Sequence, residues 1–428
     1  MSRAIITPTG RPLHGSPKLP GDKSISHRRA LLSLYVDGDV VLENYSDGQD
    51  CQTTLSCLER LGKRVERTDN RVVLTGPAVS SNGELDCGNS GTTARLLMGI
   101  LAGREGEWIL RGDESLSRRP MERVADPLRR MGAQITTAGG RLPAWISGRK
   151  LHGIAYDSSL ASAQVKSAVL LAALSAEGVT RYHEPFPSRY HTERILGISA
   201  DGEGWITLDP ARTRVETDRL SAVVPGDPSA AAFWVAAVVL VADSSLEMRG
   251  VLANPIRLSY LDALKSAGVR VLIRDEYASY GETVATIEAQ YSPIGCFNLG
   301  RENVPGVIDE LPVLAVMSAC SDGISTFHGV SELRRKESNR LQLLAEGLTR
   351  MGALAEHDED SLTIRGGALH GAEIETHGDH RIAMAFAVAA LAAKGNSVIQ
   401  DVECVAVSYP DFWEELDRMV PGSVKIEL

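Results

Sequence analysis

Two helical patterns alternate along this chain. The first is amphipathic and stops at a glycine: LERLGKRV (Leu58 to Val65), LRRMGAQI (Leu128 to Ile135), LKSAGVRV (Leu264 to Val271) and LTRMGALA (Leu348 to Ala355). ERILGISA, around Gly197, reads as a shortened fifth copy. The glycines at 62, 132, 197, 268 and 352 recur at intervals of 65 to 84 residues. Glycine just past a helix suits the C′ position, where a left-handed backbone ends the helix at no steric cost. Short β-type runs follow, such as RVVLTG after Gly62 and SLTIRG after Gly352.

The second pattern is apolar nearly all round and rich in small residues: TTARLLMGILAG, AQVKSAVLLAALSAEG, SAAAFWVAAVVLVAD, LPVLAVMSACSDG and RIAMAFAVAALAAKG, with SHRRALLSLYVDG opening the series. Helices without a polar face belong at the centre of a domain. Six units of one buried helix, one amphipathic helix and several short strands are therefore expected. A doubly wound α/β fold is the alternative, but it calls for long Val/Ile-rich parallel strands, and none is found. Six units divide most simply into two domains of three. PGDKS (Pro20 to Ser24) and PGDPS (Pro225 to Ser229) fall where the chain passes between the halves.

Length agrees, since 428 residues exceed one ordinary core and point to two domains of ~200 residues each. The start, MSRAIITPTGRP, has no apolar segment of the secretory kind. The longest apolar run, Ala230 to Ala242, has 13 residues, short of the ~20 that span a bilayer. Six scattered cysteines, without a CxxC pair, read as thiols of a reducing compartment, and a cytoplasmic protein is expected. A net charge of −10 argues against nucleic acid as a partner. It leaves room for a small anion in a locally basic cleft.

Polar, often charged clusters precede most of the apolar helices: PGDKSISHRR, DCGNSGTTAR, SSLASAQVK, IDELP and HGDHR. Free N–H groups and the helix dipole favour an anion there. Each cluster taken singly is also an ordinary helix N-cap and turn. Jointly, in register with a repeat, they point to phosphate and carboxylate recognition. The chain has no GxxxxGK[ST] loop, no GxGxxG after a strand, no HExxH and no GxSxG. Of ten histidines, His27, His377 and His380 lie in these clusters, and His191 lies in a further polar motif, SRYHTE.

At these clusters the sequence resembles the EPSP synthase (3-phosphoshikimate 1-carboxyvinyltransferase) family. LPGDKSISHR (Leu19 to Arg28), GNSGTTAR (Gly88 to Arg95), GDESLSRRPM (Gly112 to Met121), SAQVKSA (Ser162 to Ala168), SRYHTE (Ser188 to Glu193), ELRRKESNR (Glu332 to Arg340) and DHRIAMA (Asp379 to Ala385) match in order, over residues 15 to 415. The resemblance implies an α/β fold: a two-domain inside-out α/β barrel of six βαβαββ repeats, three per domain. One domain would be discontinuous, residues 1–19 plus 227–428. The other would be residues 20–226, with the active site in the cleft between them. It implies shikimate 3-phosphate contacts from Lys23, Ser24, Arg28, Ser162, Gln164, Ser188, Arg189, Asp309 and Lys336. Phosphoenolpyruvate contacts would come from Lys23, Gly91, Arg119, Gln164, Arg340 and Arg381. Asp309 would be the base on the attacking hydroxyl, and Glu337, assisted by Lys23, would manage the proton at the enol methylene. The implied partners are these two small molecules, acting on a monomer without metal or organic cofactor. The phosphonate glyphosate would compete with phosphoenolpyruvate beside Gly91.

The residue types suit that chemistry. Planar guanidinium groups bind carboxylate and phosphate oxygens through paired hydrogen bonds. Addition followed by elimination of phosphate needs proton transfer at adjacent atoms, which two carboxylates in different environments can perform. The chain departs from the family pattern at Asn339, where Asp is usual, at Tyr190 and Ala163, and at Val407, where some relatives carry Lys. Two alternatives stand beside this reading: transfer to UDP-N-acetylglucosamine, whose KNA-type opening and loop cysteine are not seen, and a non-catalytic binder of phosphorylated ligands. The presence of Lys23, Asp309, Lys336 and Glu337 weighs against the second.

Overall fold

The computed structural model describes residues 2–427. It is a mixed α/β protein whose chain separates into two compact units. Unit 1 comprises Met1–Pro20, Pro225–Tyr277 and Thr283–Leu428; unit 2 comprises Gly21–Val224 and Ala278–Glu282. Each has its own hydrophobic core.

The apolar helices form those cores. In unit 2 they are Lys23–Leu32, Gly91–Ala102 and Ala163–Ala173. In unit 1 they are Pro228–Leu240, Leu311–Ser318 and His380–Leu391. Small residues let their backbones meet. A Cβ on Gly99 would lie 2.2 Å from the Ala168 carbonyl oxygen of the neighbouring helix, so that position admits no side chain. No helix among the described residues is long and apolar enough to cross a membrane.

One sheet pattern recurs. In unit 2, Asn82–Asp86 pairs parallel with Gly106–Arg111, which pairs antiparallel with Arg141–Gly148, and that strand pairs antiparallel with Gln134–Ala138. The same parallel–antiparallel–antiparallel order joins Ala222–Val223, Val40–Glu43, Arg71–Thr75 and Arg64–Thr68. A third sheet has three strands, Ala155–Asp157, Thr180–His183 and Ile206–Leu208. Beyond Gly197 only an isolated bridge, Ala200 to Ile206, stands where a fourth strand runs elsewhere.

Among the described residues, unit 1 has three four-stranded sheets. In one of them the strand Arg3–Ile6 lies between Ser397–Gln400 and Val424–Glu427, so the beginning of the chain completes a sheet made at its end. In the strand Arg141–Gly148, Leu142, Ala144 and Ile146 are buried in alternation, the mark of a sheet with one face on a core.

The five glycine stops share one geometry. Gly62, Gly132, Gly197, Gly268 and Gly352 all have positive φ, from +71° to +98°. In each, the N–H after the glycine returns to a carbonyl one turn back, as from Lys63 to Leu58 and from Ala353 to Leu348. This pairing satisfies carbonyls that a helix end otherwise leaves orphaned.

Candidate active site

The polar clusters sit at the starts of the buried helices, and their first task is capping. Asp22, Ser90, Ser162, Asp227 and Asp379 each accept a backbone N–H of the helix they open. Asp309 is not a cap: Glu310 holds that position before Leu311–Ser318 and makes no side-chain cap bond.

In unit 2, Lys23 is the first residue of its helix and pairs with Asp50 at 2.9 Å. One turn on, Arg28 donates through Nε to Thr192 Oγ1 at 2.9 Å, and its other nitrogens reach Ser167 Oγ at 3.0 Å and the Ser24 carbonyl at 3.2 Å. Arg189 reaches Ser24 Oγ at 3.5 Å. Hydroxyls tie two helix starts together. His27 Nδ1 lies 2.7 Å from Thr54 Oγ1, which is 2.6 Å from Thr93 Oγ1, itself 2.7 Å from Ser90 Oγ. Burial holds the His27 imidazole well below its usual pKa, and the Lys23 and Arg28 charges add to the effect. It is therefore a neutral partner at neutral pH.

Gly91 opens the helix Gly91–Ala102, and a Cβ there would lie 2.8 Å from Arg95 Nη1 and 3.4 Å from Arg119 Nη1. Its φ is outside the positive range, so the glycine provides room and not backbone freedom. Arg95 donates to Gln164 Oε1 at 2.6 Å and to the Pro120 carbonyl at 3.1 Å. Gln164 turns its amide nitrogen to Thr92 at 3.0 Å. Arg119 binds Ser115 Oγ at 3.1 Å and both the carbonyl and the side-chain oxygen of Asn89. Gly91 thus lies against both the Arg95 and Arg119 guanidinium groups, and Arg95 holds Gln164. Ser188 spends both its N–H and its hydroxyl proton on Glu184, so toward a ligand its Oγ offers lone pairs.

In unit 1, Asp309, Lys336, Glu337, Arg340 and Arg381 form one connected cluster. Arg340, only 1% exposed, meets Asp379 Oδ2 at 2.8 Å, Glu337 Oε2 at 2.5 Å and Asp309 Oδ1 at 4.0 Å. Burial alone would lower its pKa, but the carboxylates of Asp379 and Glu337 outweigh that and raise it. It is a permanent cation. Lys336 Nζ lies 3.3 Å from Asp309 Oδ1, and Arg381 donates to the Asp309 carbonyl at 2.6 Å. Asp379 accepts from backbone N–H groups of its helix, from Arg340 and from Ser338, which fixes the guanidinium against the helix start. Asn339 caps the helix Arg340–Arg350 by accepting from the Gln342 N–H at 3.4 Å. The neutral residue there keeps the capping role that an Asp would have. Among the described residues no group of three or more His, Cys, Asp or Glu is placed to hold a metal.

Asp50, Arg95 and Asp379 make direct contacts with the predicted residues Lys23, Gln164 and Arg340, although the sequence alone assigns them no role. Arg95 ends GNSGTTAR and Asp379 opens DHRIAMA, so both lie inside recognisable motifs. Asp50 carries no such signal.

The sequence model described as EPSP synthase (3-phosphoshikimate 1-carboxyvinyltransferase) matches residues 8–416. A 3-phosphoshikimate 1-carboxyvinyltransferase of Roseiflexus castenholzii is 43% identical over 432 residues, covering 98% of this chain and 100% of that protein. One from Gloeobacter violaceus is 43% identical over 439 residues, covering 98% and 99%. An EPSP synthase structure from Acinetobacter baumannii superposes with a TM-score of 0.87 at 36% identity, covering 100% of both chains. The enolpyruvyl transferase NikO of Streptomyces tendae, at 18% identity and a TM-score of 0.78 over 100% of this chain and 98% of that one, shares the fold. The chain belongs to the EPSP synthase (3-phosphoshikimate 1-carboxyvinyltransferase) family.

Proposed function

We propose that this protein transfers the enolpyruvyl group of phosphoenolpyruvate to the 5-hydroxyl of shikimate 3-phosphate, releasing phosphate. The observation that carries the reading is the Asp309–Lys336–Glu337–Arg340–Arg381 cluster. It places two carboxylates of different surroundings on one buried guanidinium. Asp309, beside the Lys336 ammonium, takes the proton of the attacking hydroxyl. Glu337 delivers the proton to the methylene carbon of the enol and withdraws it when phosphate leaves. Arg340 and Arg381 hold phosphoenolpyruvate by its charged oxygens. Their charges also stabilise the anionic, tetrahedral intermediate, because they are fixed in place before the reaction begins.

Lys23, Ser24, Arg28, Ser162, Gln164, Ser188 and Arg189 then hold shikimate 3-phosphate, with Asp309 and Lys336. Lys23, Gly91, Arg119 and Gln164 complete the phosphoenolpyruvate contacts. The two sets of residues act on one pair of substrates. The recurring sheet order around buried helices supports a barrel of six βαβαββ units turned inside out, three per domain. We assign the protein to the cytoplasm, as a monomer needing no cofactor.

Phosphate release tests the activity. Both substrates together should yield phosphate and neither alone should. Absence of release with both present, or release from phosphoenolpyruvate alone, refutes it.

A further inference from the structure

One buried charged cluster in unit 2 takes no direct role in that chemistry. Lys166, Glu184 and Glu193 have side chains 2%, 6% and 3% exposed, with Lys166 Nζ 2.7 Å from Glu184 Oε1 and 2.9 Å from Glu193 Oε1. Buried ion pairs are weak sources of stability, since apolar residues of similar volume often serve as well. Folding alone therefore explains the triad poorly.

What it touches explains it better. The Ser188 N–H donates to Glu184 Oε1 at 2.8 Å, and the Ser188 hydroxyl lies 2.9 and 2.7 Å from the two Glu184 oxygens. The Ser188 carbonyl accepts from Lys166 Nζ at 3.2 Å. Every polar group of Ser188 is thus tied to Lys166 or Glu184. Lys166 in turn donates to Glu184 and to the Ser188 carbonyl and is ion-paired with Glu193 at 2.9 Å. The next residue, Arg189, reaches Ser24 at the start of the first buried helix. Glu193 follows in the helix His191–Leu196, so the cluster grips both sides of the Arg189 segment.

We propose that Lys166 is a positioning residue for acceptor binding: with Glu184 and Glu193 it clamps Ser188, and through Ser188 it sets Arg189 where shikimate 3-phosphate is held. The inference rests on the proposed function. Burial raises the Glu193 carboxyl above its ordinary pKa while Lys166 draws it down, so loss of the lysine leaves buried carboxylates short of a counter-charge.

The test is steady-state kinetics on the full chain and on Lys166→Met, Glu184→Gln and the double variant, with thermal melts of each. Each single change should raise KM for shikimate 3-phosphate about tenfold or more, leaving kcat and KM for phosphoenolpyruvate within about threefold. The double variant should fall short of the product of the single effects, because both act through Ser188. Glu184→Gln preserves shape and carries the test if Lys166→Met does not fold. An unchanged acceptor KM in a folded variant overturns the proposal. So does an equal loss in all three parameters, or a double variant that equals the product. A parent protein that releases no phosphate from the two substrates is a separate result, which removes the proposed function and this inference with it.

Discussion

Asp309 and Glu337 share Arg340 but meet it differently: Glu337 Oε2 lies 2.5 Å from the guanidinium, while Asp309 Oδ1 stands 4.0 Å from it and 3.3 Å from the Lys336 ammonium. The roles proposed for them, base on the hydroxyl and keeper of the carbon-bound proton, rest on that asymmetry. Asp309→Ala and Glu337→Gln are each expected to lower kcat by roughly 10²- to 10⁴-fold. Turnover near that of the parent in either variant would end the assignment. Gly91 carries a second prediction. A methyl group there presses on Arg95 Nη1, at 2.8 Å, and touches Arg119. Glyphosate is longer than phosphoenolpyruvate, so Gly91→Ala should raise its inhibition constant more than it raises KM for phosphoenolpyruvate. Equal changes in the two would show that the methyl group does not discriminate. The third concerns His27, whose pKa is lowered by burial, Lys23 and Arg28. The neutral folded form is at full stability above the unfolded pKa of about 6.5 and loses stability as pH falls below it, because the unfolded chain binds the proton more readily. Denaturant unfolding at pH 7.5 and 5.5 should show His27→Gln losing about 1 kcal/mol less than the parent over that interval.

At the scale of elements, glycine serves two physical ends, and single substitutions separate them. Gly268 has φ +84° with only the Pro293 carbonyl oxygen near a built Cβ, at 3.9 Å. Gly268→Ala should therefore cost ~1–2 kcal/mol of backbone strain alone. Gly99 has an ordinary φ, but its Cβ would run into the Ala168 backbone at 2.2 Å. Gly99→Ala must push a pair of core helices apart and should cost more, in the range of about 1–3 kcal/mol for overpacking or above it. Urea midpoints for the two variants check the order, and a Gly99→Ala protein as stable as Gly268→Ala would contradict it. The helix stops were legible because the Gly pattern is local, set within six residues. The five helix-start clusters were legible for the same reason.

At the scale of the molecule, two hydrophobic cores within one chain predict unfolding that is not two-state, with a calorimetric enthalpy above the van't Hoff value. Equal enthalpies would mean the cores melt as one. Unit 2 also takes in Ala278–Glu282, the turn between two strands of unit 1. There Glu282 Oε1 is 2.9 Å from the buried His191 Nδ1, and Arg29 donates to the Tyr280 carbonyl at 2.6 Å. A fragment spanning residues 21–224 loses these partners for His191 and Arg29.

Periodicity, composition and turn chemistry alone determined the six buried helices, the glycine stops and the polar helix starts, since each is written in a few consecutive residues. The ordered motifs determined the family. Only the tertiary structure decided the partners. Arg340 meets Asp379 across 39 positions, Arg95 meets Gln164 across 69, and Arg28 meets Thr192 across 164. A charge in sequence carries no record of which distant charge will neutralise it. Packing chooses that partner, because a buried ion is tolerated only where the fold brings a counter-charge or hydrogen bonds to it. The seat of the N-terminal strand between residues 397–400 and 424–427 was decided in the same way, by which sheet still lacked a central strand.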